Sequence, residues 1–332
     1  MCPKVAIIYN EPTPGRYHSM GEEKAVLGVL EGVEAVHRAL DELGYAVAQI
    51  PLLPPLEQVR EKLKGLKVDL VFNLFEGFDG CPETEAVVAD ILAELGLPYT
   101  GCPGSTLDLA LDKARAKALL KTSGISTPRY QLLSPETLPM FHLTYPCIVK
   151  PYREDASHGL SEESVVNDTA SLAEQVARTS ELFGGKALVE EFVDGREFNV
   201  SVMGTRELVT LPISEIAYAL PPGMPRVLTF SAKWEQQSMY FQCTKVVCPA
   251  EISDEMQEHI VETALSVFRL TGCRGYARVD TRLDTEERLQ VLEVNPNPDI
   301  SPGTGAARQA EAAGMSYTQF IEKIALLALE RH

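Results

Sequence analysis

The chain has 332 residues, 45% of them hydrophobic and 23% charged, with a formal net charge of −17 at pH 7. That length is too great for one ordinary core and predicts two or three domains, and no apolar run is long enough to span a bilayer. The acidic excess disfavours nucleic acid and anionic membranes as partners, while leaving room for a local basic pocket.

In chain order, Val5–Tyr9 is too short for a signal-peptide core and is followed at once by Asn10, Glu11 and Pro12, so it reads as a first buried strand of a cytoplasmic protein. Residues 4–100 then alternate strand and helix patterns, as a parallel α/β domain requires. A helix is expected over Glu22–Leu43, with Val26, Val29, Leu30, Val33, Val36 and Leu40 near helical spacing and Gly44 as stop. A strand at Val68–Phe72, a turn-rich Glu76–Gly80 and a helix over Glu83–Leu95 follow.

The Gly101–Ser105 turn marks a boundary, and one helix is expected over Leu107–Ser123. The resulting division is an N-terminal α/β domain over 1–104, a small central α+β domain over 105–188 and a C-terminal α+β domain over 189–332. The last region should hold strands near 197–203, 208–213 and 244–248, a helix near 254–271, a hairpin, and a terminal helix whose Tyr317, Phe320, Ile321, Ile324 and Leu327 form a core face. The seven cysteines include no Cys-x-x-Cys pair, which argues for reduced thiols rather than a disulfide framework or a zinc site.

The hairpin carries the most informative chemistry. If the turn between Asp284 and Arg288 centres on Glu286 and Glu287, Asp280 falls opposite Glu293 and Arg278 opposite Asn295, all on one face. Two carboxylates directly opposed destabilise a sheet unless something neutralises them, and hard oxygen ligands suit Mg²⁺ shared with substrate phosphates. Leu289, Val291, Leu292 and Val294 make the second strand largely apolar, which disfavours a merely solvated acidic hairpin.

Upstream, Cys147–Pro151 is an apolar strand ending in Lys150, followed by a polar loop over Tyr152–Gly159. Ala187–Phe198 repeats the pattern, running into Glu190 and Glu191. Each signal is weak alone. In this order, and with Pro98–Gly101, Leu111–Lys113, Cys273–Asp280, Leu292–Asn295 and Ala307–Ala310, the chain resembles the ATP-grasp superfamily, and within it the D-alanine–D-alanine ligases.

The resemblance implies an ATP-grasp fold behind a Rossmann-like N-terminal domain, with ATP between two α+β halves. It gives Lys113 and Lys150 to the phosphates, the backbone of Glu190, Glu191, Phe192 and Val193 to adenine, with Phe192 packing on the base, and Glu197 to the ribose. Lys233 and Arg278 would face the γ-phosphate, and Asp280, Glu293 and Asn295 would hold Mg²⁺ or Mn²⁺. It also implies a ligation through an acyl phosphate, amino-acid or small-peptide substrates and a homodimer. The acyl phosphate needs a lid against water, expected from Tyr152–Gly159 and Pro221–Gln237.

Three features depart from the family pattern. The family's N-terminal glutamate motif is replaced by Asn10–Gly15. Its lid serine aligns with Ala156, beside Ser157, and its tyrosine partner with Trp234. Its carboxylate-binding tail is replaced by Asn295–Gly305, with Asp299 and Ser301 as candidate substrate contacts. ATP chemistry therefore reads as kept and substrate recognition as rebuilt. His158 reads as a solvated loop side chain, Trp234 equally as pocket wall or lid contact, and Glu22 and Glu23 as helix-start charges. An authentic D-alanine–D-alanine ligase and a non-catalytic nucleotide-binding regulator are the competing readings.

Overall fold

The computed structural model describes residues 3–13, 23–154 and 157–330, with side chains in the first helix described from residue 28 onward. Ala156 and Glu22, and the side chain of Glu23, lie outside this description. The first sheet is parallel, in the order β2-β1-β3, from β1 (Lys4–Asn10), β2 (Ala46–Leu52) and β3 (Leu70–Leu74). Val5–Ile8 are buried without alternation, as expected of a strand covered on both faces. The connecting helices are α1 (Glu23–Glu42), α2 (Leu56–Lys64) and α3 (Thr84–Glu94).

The expected helix over Leu107–Ser123 is two helices, α4 (Gly104–Leu111) and α5 (Lys113–Thr122). Asp112 breaks the run with ψ 86°, and its carboxylate accepts from the Arg115 N–H at 3.0 Å as an N-cap. An Asp directly before a helical run is the sequence signal for such a cap. The consequence of the cap is positional, because it makes Lys113 the first residue of a new helix.

The middle sheet, in the order β4-β7-β5-β6, combines β4 (Tyr130–Leu133), β5 (Cys147–Pro151), β6 (Val165–Val166) and β7 (Ala187–Glu191), all antiparallel, with α6 (Thr169–Phe183). A boundary at 188 falls inside β7, since Ala187–Glu191 pair with β4 and β5. This sheet has its own small core of Leu133, Val149, Leu172, Val176 and Val189 among others.

The third sheet has the order β11-β10-β8-β12-β13, with β9 on β8. Its strands are β8 (Glu197–Gly204), β9 (Leu208–Thr210), β10 (Ser214–Tyr218), β11 (Thr244–Val247), β12 (Gly275–Leu283) and β13 (Leu289–Pro296). The strand expected over 208–213 stops at Thr210 and a new one begins at Ser214; Pro212, with no N–H to donate, lies in the break. The segment 221–237, expected as loop, contains a short helix α7 (Phe230–Trp234) capped by Thr229, followed by α8 (Met239–Cys243). Then come α9 (Asp254–Leu270), α10 (Gly305–Ala312) and α11 (Tyr317–Leu329).

The two ends of the chain share their cores. Val33, Val36 and Leu40 of α1 and Phe72 of β3 pack in one cluster with Phe320, Ile321 and Ile324 of α11. A second cluster joins Leu92 and Leu107 to Val200, Phe268 and Val279. Val200 and Val279 point to the face opposite Asp280, which is therefore fixed to the N-terminal helices, while Tyr276, on the Asp280 face, joins the first cluster. No helix among the described residues is long and apolar enough to cross a membrane.

Candidate active site

The site grows from one period-two pattern across three strands. Arg278, Asp280 and Arg282 alternate along β12, and the register sets them against Ser201, Asn199 and Glu197 of β8 on one side. On the other side Arg278 pairs with Asn295 and Asp280 with Glu293. The register slips between Asp280 and Thr281, so Leu292 is an extra residue on β13.

Asp280 is the centre of a dense network. Arg278 grips it in a fork, Nε to Oδ1 at 2.7 Å and Nη2 to Oδ2 at 2.8 Å. Asn199 Nδ2 donates to Oδ1 at 2.7 Å, and Asn295 Nδ2 to Oδ2 at 2.8 Å. Burial pushes the Asp280 carboxyl up, with Arg278 opposing. Glu293 goes the other way: burial would raise its carboxyl, but Lys113, Lys150, Arg278 and Lys233 together hold it down at about 2. Lys233 is lowered by burial first and by Arg278 second. Four cations expected at different phosphate positions thus converge on one carboxylate.

Around this centre, α5 supplies two lysines. Lys113 donates to the Glu154 carbonyl, while Lys117, one turn on, is buried and reaches Glu190 Oε1 at 3.2 Å. Lys150 reaches the same oxygen at 3.1 Å. Lys117 is a residue the motifs passed over, although its i+4 spacing from Lys113 is the available signal. Burial pulls its ammonium down to about 8 against the pull of Glu190.

The strand expected to read adenine is partly spent on structure. The N–H groups of Glu191 and Phe192 donate to the carbonyls of Arg129 at 2.9 Å and Pro146 at 2.8 Å, and the Glu191 carboxylate pairs with Arg129 at 3.1 Å. Val193 lies just beyond the strand, its carbonyl accepting from Arg282 Nη1 at 2.8 Å. Arg282, also passed over, donates to Glu197 Oε2 and to the Arg226 carbonyl and lies over the Phe192 ring, 5.5 Å from its centroid. Tyr218 donates to the same Glu197 oxygen at 2.8 Å. Arg282 continues the alternation of Arg278 and Asp280, which is how the sequence could have shown it.

The two expected lid segments touch. The Phe230 N–H donates to the Leu160 carbonyl at 3.2 Å, and His158 is buried with its ring stacked on Phe230 at 6.0 Å. The expectation of a solvated histidine is wrong, because the Phe230 ring covers it. Ser157 beside it takes a left-handed φ of 63°. Trp234 lies 6.3 Å from Phe230 and faces Gly28 of α1, where an added Cβ would come to 3.2 Å of its ring. Asp299 and Ser301 line a small cavity with Asn73, Glu76, Glu85 and Tyr276, and Asp299 is among the carboxylates that raise the Arg278 guanidinium.

A family model for the D-ala D-ala ligase C-terminus matches residues 119–326. The D-alanine--D-alanine ligase of Alcanivorax borkumensis is 31% identical over 303 residues, covering 91% of this chain and 89% of that protein. The chain belongs to the D-alanine–D-alanine ligase family. It is an ATP-grasp ligase of the ATP-dependent, amide-forming type. An uncharacterised protein of Sinorhizobium fredii, y4sG, is 34% identical over 263 residues, 79% of this chain and 75% of that one. The fold agrees with that of the D-alanine--D-alanine ligase from Bacillus anthracis complexed with ATP, at a TM-score of 0.75 and 21% identity, covering 99% of this chain and 98% of that one. It agrees as well with the VanG D-Ala:D-Ser ligase from Enterococcus faecalis, at 0.76 and 22%, covering 99% and 100%.

The donor set fits a divalent cation. Glu293 and Asn295 offer hard oxygens beside Asp280, whose own two oxygens, engaged by Arg278, Asn199 and Asn295, would be shared with the ion. Among the described residues no three or more His, Cys, Asp or Glu side chains form a cage. An incomplete protein shell of one or two carboxylates, completed by phosphate oxygens, is the arrangement Mg²⁺ prefers.

Proposed function

We propose that this ligase joins the carboxylate of an amino acid or short peptide to an amine through an acyl phosphate, releasing ADP and phosphate, and that its substrates are not a pair of D-alanines. The observation that carries the reading is Glu293, a carboxylate opposed to Asp280 and held ionised by Lys113, Lys150, Arg278 and Lys233. Such a cluster provides positioning and charge neutralisation, the two things phosphoryl transfer asks of a protein.

Lys113 and Lys150 bind the phosphates in this reading, Val193 offers its backbone to adenine beside Phe192, and the Glu197 oxygen not used by Arg282 and Tyr218 accepts from the ribose. Lys233 and Arg278 face the γ-phosphate, stabilising the charge that builds as the substrate carboxylate attacks. Asp280, Glu293 and Asn295 would hold Mg²⁺ or Mn²⁺, which supplies further neutralisation of the phosphates. The contact of His158 and Leu160 with Phe230 closes the water side, so an incoming amine rather than solvent displaces phosphate.

The departures at Trp234, Asp299 and Ser301 support a rebuilt substrate shell, with Asp299 and Ser301 in the cavity against α1. The six described cysteines are all free thiols, which suits a cytoplasmic enzyme. The test is a pairwise screen of amino acids and short peptides for ADP release, with mass spectrometry of the condensed product. ATP binding without ADP release across that set would return the chain to the regulatory reading.

A further inference from the structure

Lys117 and Lys150 share one carboxylate oxygen, Glu190 Oε1, at 3.2 and 3.1 Å. The two lysines are not equivalent. Lys117 rises from α5, its side chain 2% exposed, and is anchored on its far side by Thr127 Oγ1 at 2.9 Å. Lys150 sits at the end of β5, where the loop to residue 159 begins, with a side chain 11% exposed. Lys150 is also among the cations that hold the Glu293 carboxyl down. Lys150 thus serves two carboxylates from the more exposed position, and Lys117 holds Glu190 from the more deeply buried one, tied to Thr127.

A buried carboxylate stripped of its only cation is strongly unfavourable, so a lysine that were the sole partner of Glu190 could not leave it at little cost. With two cations on one oxygen, one can leave. We propose that Lys117 is a positioning residue that keeps Glu190 neutralised while Lys150 exchanges that carboxylate for the phosphates of ATP. Lys117 itself touches no phosphate. Its effect on ATP passes through Glu190 and Lys150, and it has none on the nucleoside. The inference rests on the ATP-site reading above.

The experiment is calorimetric titration of the full chain with MgATP and, separately, with adenosine. It uses wild type, Lys117→Met and the double variant Lys117→Met/Glu190→Gln. Lys117→Met should weaken ATP at least tenfold, because Lys150 becomes the sole partner of Glu190, and should leave adenosine within about threefold. Neutralising Glu190 in the same chain should release Lys150 and return ATP to within about threefold of wild type. Unchanged ATP affinity in Lys117→Met, equal losses for ATP and adenosine, or a loss undiminished in the double variant would each overturn the proposal. If Lys117→Met does not fold, Lys117→Gln, which keeps a donor for Thr127 but no charge, carries the same thresholds alone and with Glu190→Gln. A wild-type chain that binds no ATP would instead defeat the site reading on which the inference stands.

Discussion

Asp280 and Glu293 face each other across the hairpin because Leu292 is an extra residue that shifts the register by one. Nearer the turn, Leu283 pairs with Leu289 and Thr281 with Val291, a register centred on Glu286. Carried on without the bulge, it would set Leu292 opposite Asp280. The bulge aims the second carboxylate at the first, the kind of local re-aiming for which bulges recur beside active sites.

Replacing either carboxylate should stop the chemistry while sparing nucleoside recognition. Glu293→Gln and Asp280→Asn are each expected to lower turnover by roughly 10³-fold, equivalent to several kcal/mol of lost charge stabilisation. Adenosine affinity should remain within a few-fold of wild type, as the Val193 region is separate. Stopped assays for ADP, paired with adenosine titration, check both halves, and near wild-type turnover at saturating Mg²⁺ would remove the metal assignment.

The charge state of Glu293 gives a pH dependence with a definite sign. Its folded carboxyl lies at about 2, below the ordinary glutamate value, so its stabilising contribution is complete above about 4.5 and is lost as pH falls toward 2. Without nucleotide, Glu293→Gln should therefore be less stable to unfolding than wild type at pH 7, by on the order of 1–3 kcal/mol, and the gap should narrow between pH 5 and 3. A gap that stays constant or widens on acidification contradicts the four-cation environment.

Much of this was legible in the sequence, and the omissions share a cause. The alternation of Arg278 and Asp280, the opposed Glu293 and Asn295, and the parallel strand of Val5–Tyr9 are local patterns with a fixed period. The Asp280–Glu293 pairing was reached through a turn centre on Glu286 and Glu287, whereas the chain uses a turn centred on Glu286 plus a bulge, and apolar Leu292 gives no sign of that exchange. Lys117, Arg282 and Asn199 were passed over because their roles depend on a partner from a distant strand. His158 was misjudged for the same reason, since only the fold brings Phe230 over it.

Gln309 shows how such distant partners hold the site in place. Buried on α10, it donates to the Asn199 carbonyl at 2.8 Å and Ser214 Oγ at 2.7 Å and accepts from the Ser201 N–H at 3.1 Å. Gln309→Ala leaves those groups without their partner and should cost on the order of 2–4 kcal/mol. Chemical denaturation should show the midpoint falling with an unchanged m-value. A loss below about 0.5 kcal/mol, the scatter of ordinary surface changes, would contradict the clamp.

D-alanine should be a poor substrate in both positions. Trp234 places an indole where the family pattern has a phenol, and Asp299 and Ser301 replace its carboxylate-binding tail; a site that loses polar partners discriminates more strongly than one that changes a methylene. Steady-state kinetics with D-alanine as donor and acceptor are set beside the best pair from the screen. An efficiency on the order of 10⁴ M⁻¹s⁻¹ or better with D-alanine would make this an authentic D-alanine–D-alanine ligase.

The central claim is that Lys233 and Arg278 serve the transfer of the γ-phosphoryl group to a substrate carboxylate, and isotope tracing tests it most directly. The donor substrate is labelled with heavy oxygen in its carboxylate, turned over with unlabelled ATP, and the released phosphate analysed by mass spectrometry. The account predicts one labelled oxygen in inorganic phosphate, with ADP as the nucleotide product. Unlabelled phosphate, or label in AMP with release of pyrophosphate, would contradict it.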